Sequence, residues 1–311
     1  MRKLFGITTA VFFLASSVSC GNRVQRAGND ENIVFEAEAF KDEKSNAGTE
    51  EESEKDKEKP EENKEEIYIE PLVMPKDYKL KKSYVIDGFE TVMQEPELPT
   101  GCEITALAQT LIFYGFNTTK TKLCDNFLTV DFNGYYTMND AYLGDPYSYS
   151  GSGCNSPVIV NAANEYFDYI GSDWKAFDIS GCDIKEVFYE VEKDRPVVVW
   201  STINQTESQP VFQFRLGCGE DFYFNCYQHC LTVYGFDYDE KVVHVADPLV
   251  GNVKYDMERF ERIFKDMDSQ AVFLSGNPET AGEEFTDTEA RKEWIKKNRP
   301  KEETKWLRNI R

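Results

Sequence analysis

Residues 99–114 read Pro-Thr-Gly-Cys-Glu-Ile-Thr-Ala-Leu-Ala-Gln-Thr-Leu-Ile-Phe-Tyr, a short loop that leads into an apolar helical pattern. Apolar side chains recur at positions 104, 107, 108, 111 and 112, which is the spacing of a helix with one buried stripe. Gly115 interrupts the pattern and indicates the end of the helix. The sequence therefore predicts a core helix over 103–114, and Cys102 directly precedes its first residue.

Helical patterns precede most strand patterns in the remainder of the core region. The strands are rich in the β-branched and aromatic residues that sheets favour. The predicted helices cover 157–167 and 184–193, and the predicted strands cover 197–200, 229–236, 241–247 and 271–274. This order predicts an α+β fold over residues 81–276, in which N-terminal helices pack on an antiparallel sheet.

The first 20 residues have the features of an export signal. Arg2 and Lys3 form a positive start, residues 4–15 are apolar, and small residues lead to Cys20. The apolar run is too short for an ordinary membrane span and is typical of a removable signal. Small residues before a cysteine resemble a bacterial lipoprotein signal, so we expect a lipid on Cys20 and an extracytoplasmic, membrane-anchored protein. An ordinary cleaved signal or an uncleaved anchor is the alternative.

Residues 21–80 form a predicted disordered spacer with a strongly acidic centre. Between 41 and 66 there are 12 acidic and 6 basic side chains, no aromatic residue and no aliphatic residue larger than Ala. Such a segment cannot bury enough apolar surface to offset its loss of chain entropy. It carries much of the formal net charge of −21. This acidic balance argues against nucleic-acid binding, which needs a basic surface.

Residues 277–311 are predicted to form a basic helical tail. From 286 to 311 the chain has 9 basic and 5 acidic residues, and Pro300 ends the helical pattern. A helix that packs on the domain or stays loose is the simpler interpretation, and a membrane or partner contact is the alternative.

Cys102 stands where a helix begins, and this position favours a reactive thiol. The free N–H groups and partial positive charge of a helix N-terminus stabilise a thiolate, and a nearby imidazolium lowers a cysteine pKa further. Gly101 leaves room for backbone or substrate beside the sulfur. These features predict that Cys102 is a nucleophile, and a buried inert cysteine is the alternative.

The base for such a nucleophile must be one of two histidines, His229 and His244. A hairpin centred on Tyr238 puts His229 opposite Asp247 at the open end of the two strands. Asp247 can then orient and polarise His229, as a catalytic triad requires, whereas His244 has no carboxylate opposite. A one-residue shift would separate the pair, and a structural histidine is the alternative. The same register pairs Leu231 with Val245 and Val233 with Val243.

A thiol hydrolase also needs donors for the oxyanion that develops in its transition state. Gln94, in a proline-containing loop before Cys102, is the candidate side-chain donor. The backbone N–H of Cys102 is the candidate second donor. The alternative for Gln94 is an exposed polar loop residue.

The sequence leaves open whether six further cysteines form disulfides, bind a metal or stay as free thiols. Outside the cytosol they can form up to three disulfides, and Cys218 with Cys226 would close a short loop. Free thiols and a zinc site are the alternatives, although the spacing of 218, 226 and 230 lacks a close pair of ligands. We therefore expect no metal and no cofactor. The six are Cys124, Cys154, Cys182, Cys218, Cys226 and Cys230.

Residues 94–103, Gln-Glu-Pro-Glu-Leu-Pro-Thr-Gly-Cys-Glu, resemble the nucleophile loop of bacterial papain-like cysteine peptidases, which are relatives of the double-glycine leader peptidases that process bacteriocins. The resemblance extends over about residues 82–276. Other stretches that resemble this family are Gly-Ser-Gly-Cys at 151–154 with Ser-Pro-Val-Ile-Val at 156–160, Val-Trp-Ser-Thr at 199–202, His-Cys at 229–230, and Asp-Pro-Leu at 247–249 with Gly251.

This resemblance implies a papain-like fold and a role for each site residue. It implies Cys102 as nucleophile, His229 as general base and acid, Asp247 as its orienter and Gln94 as oxyanion donor. The bacteriocin-processing relatives are joined to transporter domains and work at the cytoplasmic side. Because we expect this chain to be exported and find no transporter segment in it, leader processing does not transfer from these relatives, and the substrate stays open.

Two classes of function are consistent with these residues. The first is an exported, cell-surface cysteine peptidase or amidase that acts on peptides or peptidoglycan peptides through an acyl-enzyme. A transpeptidase is a variant of it. The second is an inactive surface binding or adhesion module on the same scaffold. The complete Cys, His, Asp and Gln set favours the enzyme, and we expect a monomer.

Overall fold

The computed structural model describes residues 74–207 and 209–276. The predicted signal with Cys20, most of the predicted spacer and the predicted tail lie outside these residues. The helices are α1 Cys102–Phe113, α2 Lys120–Asn126, α3 Ser156–Ile170, α4 Ile184–Val191 and α5 Met257–Asp266. The strands are β1 Ser83–Val85, β2 Val130–Asp131, β3 Tyr142–Leu143, β4 Lys175–Asp178, β5 Val197–Thr202, β6 Pro210–Arg215, β7 Asp221–Asn225, β8 Gln228–Asp237, β9 Val242–Asp247, β10 Gly251–Asp256 and β11 Ala271–Ser275.

One antiparallel sheet forms the centre of the fold. Its strands are arranged in the order β10-β9-β8-β5-β11-β4, and β1 pairs with the end of β8. Two small sheets lie apart from it: the parallel pair β2–β3 and the hairpin β6–β7. Among the described residues, no helix is long and apolar enough to span a membrane.

Helices cover the sheet on both faces. Val198 and Trp200 of β5 point into a core shared with α1 and α3, whereas Val197 and Val199 point into a second core with α4 and α5. A strand with both faces covered needs apolar residues at every position, which explains why β5 is buried throughout. The predicted α+β class, with helices packed on an antiparallel sheet, is confirmed. The second helical layer, on the α4 and α5 side, adds to the predicted arrangement.

The first core helix forms as predicted, but its burial differs. Residues 102 to 111 of α1 are all buried, including Glu103 and Gln109, whereas Ile112 is 42% exposed. The predicted single apolar stripe is therefore wrong in this detail, because α1 is enclosed by the sheet, α2 and α3. The enclosed polar side chains have partners: Gln109 Nε2 donates to Thr232 Oγ1 at 2.7 Å and to the carbonyl of Ala246 at 3.0 Å.

The register between β8 and β9 differs from the predicted one by two residues. Val233 pairs with Val245 rather than Val243, because the turn lies one residue further along and the register shifts between Val233 and Gly235. If the pairing near the turn continued to the open end of the hairpin, His229 and Asp247 would lie on opposite faces of the sheet. The bulge changes this parity, because one extra residue moves every later side chain to the other face. His229 and Asp247 are therefore diagonal neighbours on one face.

Candidate active site

His229 and Asp247 form a buried pair at the open end of the β8–β9 hairpin. His229 Nε2 lies 2.7 Å from Asp247 Oδ1, and the two side chains are 1% and 2% exposed. Asp247 has two further partners. The backbone N–H of Leu249 donates to Oδ1 at 2.8 Å, and Tyr255 Oη donates to Oδ2 at 2.8 Å. Every partner favours the ionised carboxylate, and together they fix its orientation toward the imidazole.

The surroundings keep Asp247 charged although it is buried. Burial acts to raise the pKa of this carboxyl, but the charge of His229 and the hydrogen bonds from His229, Leu249 and Tyr255 outweigh it, so the pKa lies below its ordinary value of 3.8. An ionised carboxylate at Nε2 selects the tautomer that has its proton on that nitrogen. Nδ1 of His229 is then the nitrogen that can accept a proton.

Cys102 is the first residue of α1, which begins one residue earlier than the predicted helix, and it lies against the beginning of β8. The backbone N–H of Cys230, the residue after His229, faces the Cys102 thiol and acts to lower its pKa. Gly101 also has a packing role inside the loop. A Cβ at this position would lie 2.9 Å from Cβ of Leu98, so the glycine makes room for packing inside the loop.

The predicted ease of ionisation of Cys102 is wrong for this structure. The side chain is 7% exposed, and its Sγ donates to Oε2 of Glu103 at 3.3 Å. Burial, and then the charge of Glu103, raise the pKa of the thiol well above its ordinary value of 9.0. Loss of solvent and a carboxylate at this distance outweigh the helix N-terminus, because both disfavour a second negative charge in the same place.

Gln94 is a buried residue and not the exposed loop residue of the alternative interpretation. It is 2% exposed. Its backbone N–H donates to the carbonyl of Pro248 at 2.9 Å, and its Nε2 donates to the carbonyl of Pro99 at 2.7 Å. Gln94 therefore connects the residue after Asp247 with the loop before Cys102. An amide nitrogen carries two hydrogens, so Gln94 has a second side-chain N–H besides the one that Pro99 accepts.

Lys120, a residue without a predicted role, holds the Gln94 loop. Its Nζ donates to the carbonyls of Met93 and Gln94 at 2.5 and 2.7 Å, and it forms an ion pair with Glu97 at 2.7 Å. A buried ammonium is stable only with such partners. Because these partners are backbone carbonyls and a loop carboxylate, no local pattern in the sequence identifies Lys120.

The remaining candidates stay apart from this chemistry. His244 lies opposite Lys254 of β10, and burial followed by the Lys254 charge lowers its pKa below the ordinary 6.5. No disulfide joins cysteines within residues 74–207 and 209–276, and Cys124, Cys154 and Cys230 are buried in one hydrophobic core. The same part of the chain contains no group of three side chains that could hold a metal ion.

The fold is that of the papain-like cysteine peptidases. The chain belongs to the Peptidase_C39 like family, whose model matches residues 86–272. This confirms the predicted resemblance at the level of family and fold.

The chain is similar to one further protein and to two solved structures. YvpB of Bacillus subtilis (strain 168), itself uncharacterised, is 32% identical over 189 residues, which are 58% of this chain and 72% of YvpB. A crystal structure described as a C39-like peptidase from Bacillus anthracis superposes with a TM-score of 0.55 at 26% identity, covering 63% of this chain and 99% of the other. The peptidase domain of Streptococcus ComA matches at 18% identity, with a TM-score of 0.38, 61% of this chain and 99% of that domain.

Proposed function

We propose that this chain is a cysteine peptidase or amidase that hydrolyses peptide-like bonds through a covalent acyl-enzyme. Cys102 is the nucleophile, His229 the general base and acid, Asp247 the residue that orients His229, and Gln94 an oxyanion donor. The observation that carries this proposal is the buried His229–Asp247 pair at 2.7 Å. It supplies an oriented imidazole on the residue next to Cys230, whose backbone N–H faces the Cys102 thiol at the start of α1.

Each step of the reaction uses one of these groups. The Cys102 proton passes to His229, and the sulfur attacks the carbonyl carbon of the substrate. The oxyanion accepts hydrogen bonds from the side chain of Gln94 and the backbone N–H of Cys102. His229 then returns the proton to the leaving amine, the C–N bond breaks, and a thioester to Cys102 forms. Water that is deprotonated by His229 cleaves this thioester and releases the acid.

Hydrolysis of peptide and peptidoglycan-peptide libraries tests the proposal. We expect the wild type to cleave members of at least one library, and Cys102→Ala and His229→Ala to lose activity by about 10³-fold or more. Cys124→Ala and His244→Ala are matched controls that keep activity, because they change the same residue types elsewhere. An added amine that captures the acyl group would identify transpeptidation. Cleavage that survives Cys102→Ala would exclude this mechanism.

One observation favours the inactive binding module as a second candidate. The Cys102 thiol is buried and bonded to Glu103, and its pKa is raised, as expected of a cysteine without chemistry. An inactive module predicts no cleavage of either library and the same rate of thiol alkylation with and without His229. The labelling experiment at the end of the Discussion separates the two.

The proposal includes a location at the outer face of the cell membrane. It is supported by the positive start, the apolar run over 4–15 and the small residues before Cys20. With a lipid on Cys20, the acidic residues 41–66 would act as a solvated spacer between membrane and enzyme. We expect the full chain, expressed in bacteria, to incorporate an alkyne-tagged fatty acid. Equal incorporation into Cys20→Ser would contradict the anchor.

A further inference from the structure

Glu103 is a buried carboxylate in direct contact with the proposed nucleophile. Its Oε2 accepts from Cys102 Sγ at 3.3 Å, and its Oε1 accepts from the backbone N–H of Cys154 at 3.1 Å. The side chain is 2% exposed. Both oxygens are therefore held, one by the sulfur and one by the loop before α3.

The chain around Glu103 is arranged to accommodate this carboxylate. Gly153 has φ +113°, and a Cβ at this residue would collide with Oε1 of Glu103. The carbonyl of Cys154 accepts from Trp200 Nε1 at 2.8 Å, which fixes the same loop to β5. The sulfur therefore faces a rigid carboxylate rather than a mobile surface group.

The groups around Glu103 come from several elements. From β8, His229 favours the ionised carboxylate, and burial, together with the nearby charges of Cys102 and Glu103, raises the pKa of the Cys230 thiol. From β3, Tyr142 lies close enough for the Glu103 charge to raise its pKa. From β9, Asp247 adds a second negative charge that acts on Cys102. Burial raises the pKa of Glu103 above its ordinary value of 4.5. The hydrogen bonds from its own N–H, the Cys154 N–H and the Cys102 thiol, together with the charge of His229, act to lower this pKa but do not outweigh burial.

We propose that Glu103 is a further catalytic residue, which holds the Cys102 thiol protonated in the resting enzyme by accepting its hydrogen bond. This inference rests on the proposed function, in which Cys102 is the nucleophile. The carboxylate opposes formation of a thiolate 3.3 Å away and favours an imidazolium at His229. The nearer group is affected more strongly. The Cys102 proton therefore passes to His229 only at the cost of this repulsion.

The pH dependence of alkylation at Cys102 tests this role. In Glu103→Gln the amide oxygen still accepts from Cys154, but the negative charge is gone. We expect the midpoint of the iodoacetamide rate profile to fall by about one pH unit or more. Below the midpoint the rate should rise about threefold per unit, because a larger thiolate fraction outweighs the lower nucleophilicity of a less basic thiolate.

Glu258→Gln is the matched control, because Glu258 is the second residue of α5 as Glu103 is of α1, and it is exposed. Its midpoint should equal that of the wild type. A midpoint in Glu103→Gln that is unchanged or higher would overturn the role of Glu103. A His229→Ala variant with the wild-type alkylation rate would instead overturn the proposed function, so the two failures are distinguishable.

A measurement on the wild type covers the case in which Glu103→Gln does not fold. The S–H stretching band of Cys102, identified by its loss in Cys102→Ala, should have the lowered frequency of a thiol that donates a hydrogen bond. A band at the frequency of a free thiol, at a pH where the protein is folded and Glu103 is ionised, would also overturn the role.

Discussion

Two buried carboxylates lie on the two sides of this site, and their surroundings shift their pKa values in opposite directions. Asp247 receives donors from His229, Leu249 and Tyr255, and its pKa is lowered. Glu103 is enclosed with a thiol as one of its partners, and burial raises its pKa. Groups of one chemical type acquire different roles when their environments separate their pKa values. Asp247 is suited to support a positive imidazolium, and Glu103 is suited to restrain a negative sulfur.

Removing the charge of Asp247, which lies beside His229, should have the largest effect on activity. Asp247→Asn leaves an amide that cannot select the His229 tautomer or stabilise its charged form, and we expect kcat to fall by about 10²- to 10⁴-fold. Steady-state kinetics on a cleaved library peptide measures this loss. Asp221→Asn, at a surface ion pair with Arg215, should keep full activity. A loss below about threefold for Asp247→Asn would show that His229 does not depend on this carboxylate.

Removing the oxyanion donor should have the next largest effect. Gln94→Ala takes away the side-chain N–H that we assign to the oxyanion, and a fall in kcat of about 10²- to 10³-fold is expected with little change in KM. Gln213→Ala, on the exposed strand β6, is the control. A change confined to KM would assign Gln94 to substrate binding instead.

The two carboxylates should contribute to the free energy of unfolding with opposite dependences on pH. The folded pKa of Glu103 is raised above 4.5, so its contribution to the free energy of unfolding is fully present below that pH and is lost as pH rises through the folded pKa. The folded pKa of Asp247 is lowered below 3.8, so its contribution is present above that pH and is lost as pH falls.

Urea unfolding over a pH series measures both contributions. Relative to the wild type, Glu103→Gln should gain stability as pH rises above about 4.5, the ordinary value for glutamate. The deficit of Asp247→Asn should shrink as pH falls below about 3.8. If both differences change in the same direction with pH, the contrast between the two carboxylates is wrong.

The smallest effect should come from the hydroxyl that supports Asp247. Tyr255→Phe removes one donor at 2.8 Å and leaves His229 and Leu249 in place. We expect a loss of about 1.5 to 3 kcal/mol in the free energy of unfolding, typical of a hydrogen bond to a charged group. Tyr223→Phe, at a ring that is 54% exposed, should change it by less than about 0.5 kcal/mol. Equal losses would show that the Tyr255 hydroxyl does not stabilise Asp247.

The sequence indicated the histidine side of the site better than the cysteine side. His229 and Asp247 share a face because side chains alternate along each strand, and a two-residue error in register preserves that face. The register itself was wrong, because the prediction assumed a regular ladder and did not use the isolated Gly235, which is a local signal of a bulge inside a strand. The start of α1 at Cys102 followed from apolar spacing, which depends on neighbouring residues alone.

The ionisation of Cys102 could not be predicted in the same way. Glu103 follows the cysteine directly, and a charged residue in the first turn of a helix is ordinarily exposed. Its burial depends on the loop at 151–154, which is about fifty residues away in the chain and meets it only in the folded state. The hairpin β6–β7 was missed for a related reason. All of β6 is exposed, so it lacks the one-face alternation that identifies a half-buried strand.

The central claim is that His229 activates Cys102, and site-resolved labelling with an epoxide-type thiol probe at neutral pH tests it most directly. Mass spectrometry of the digested protein would give the labelling rate of each cysteine in the wild type, His229→Ala and His244→Ala. We predict that Cys102 is labelled first in the wild type and in His244→Ala, and that its labelling is lost in His229→Ala. Labelling of Cys102 at one rate in all three proteins would contradict the claim.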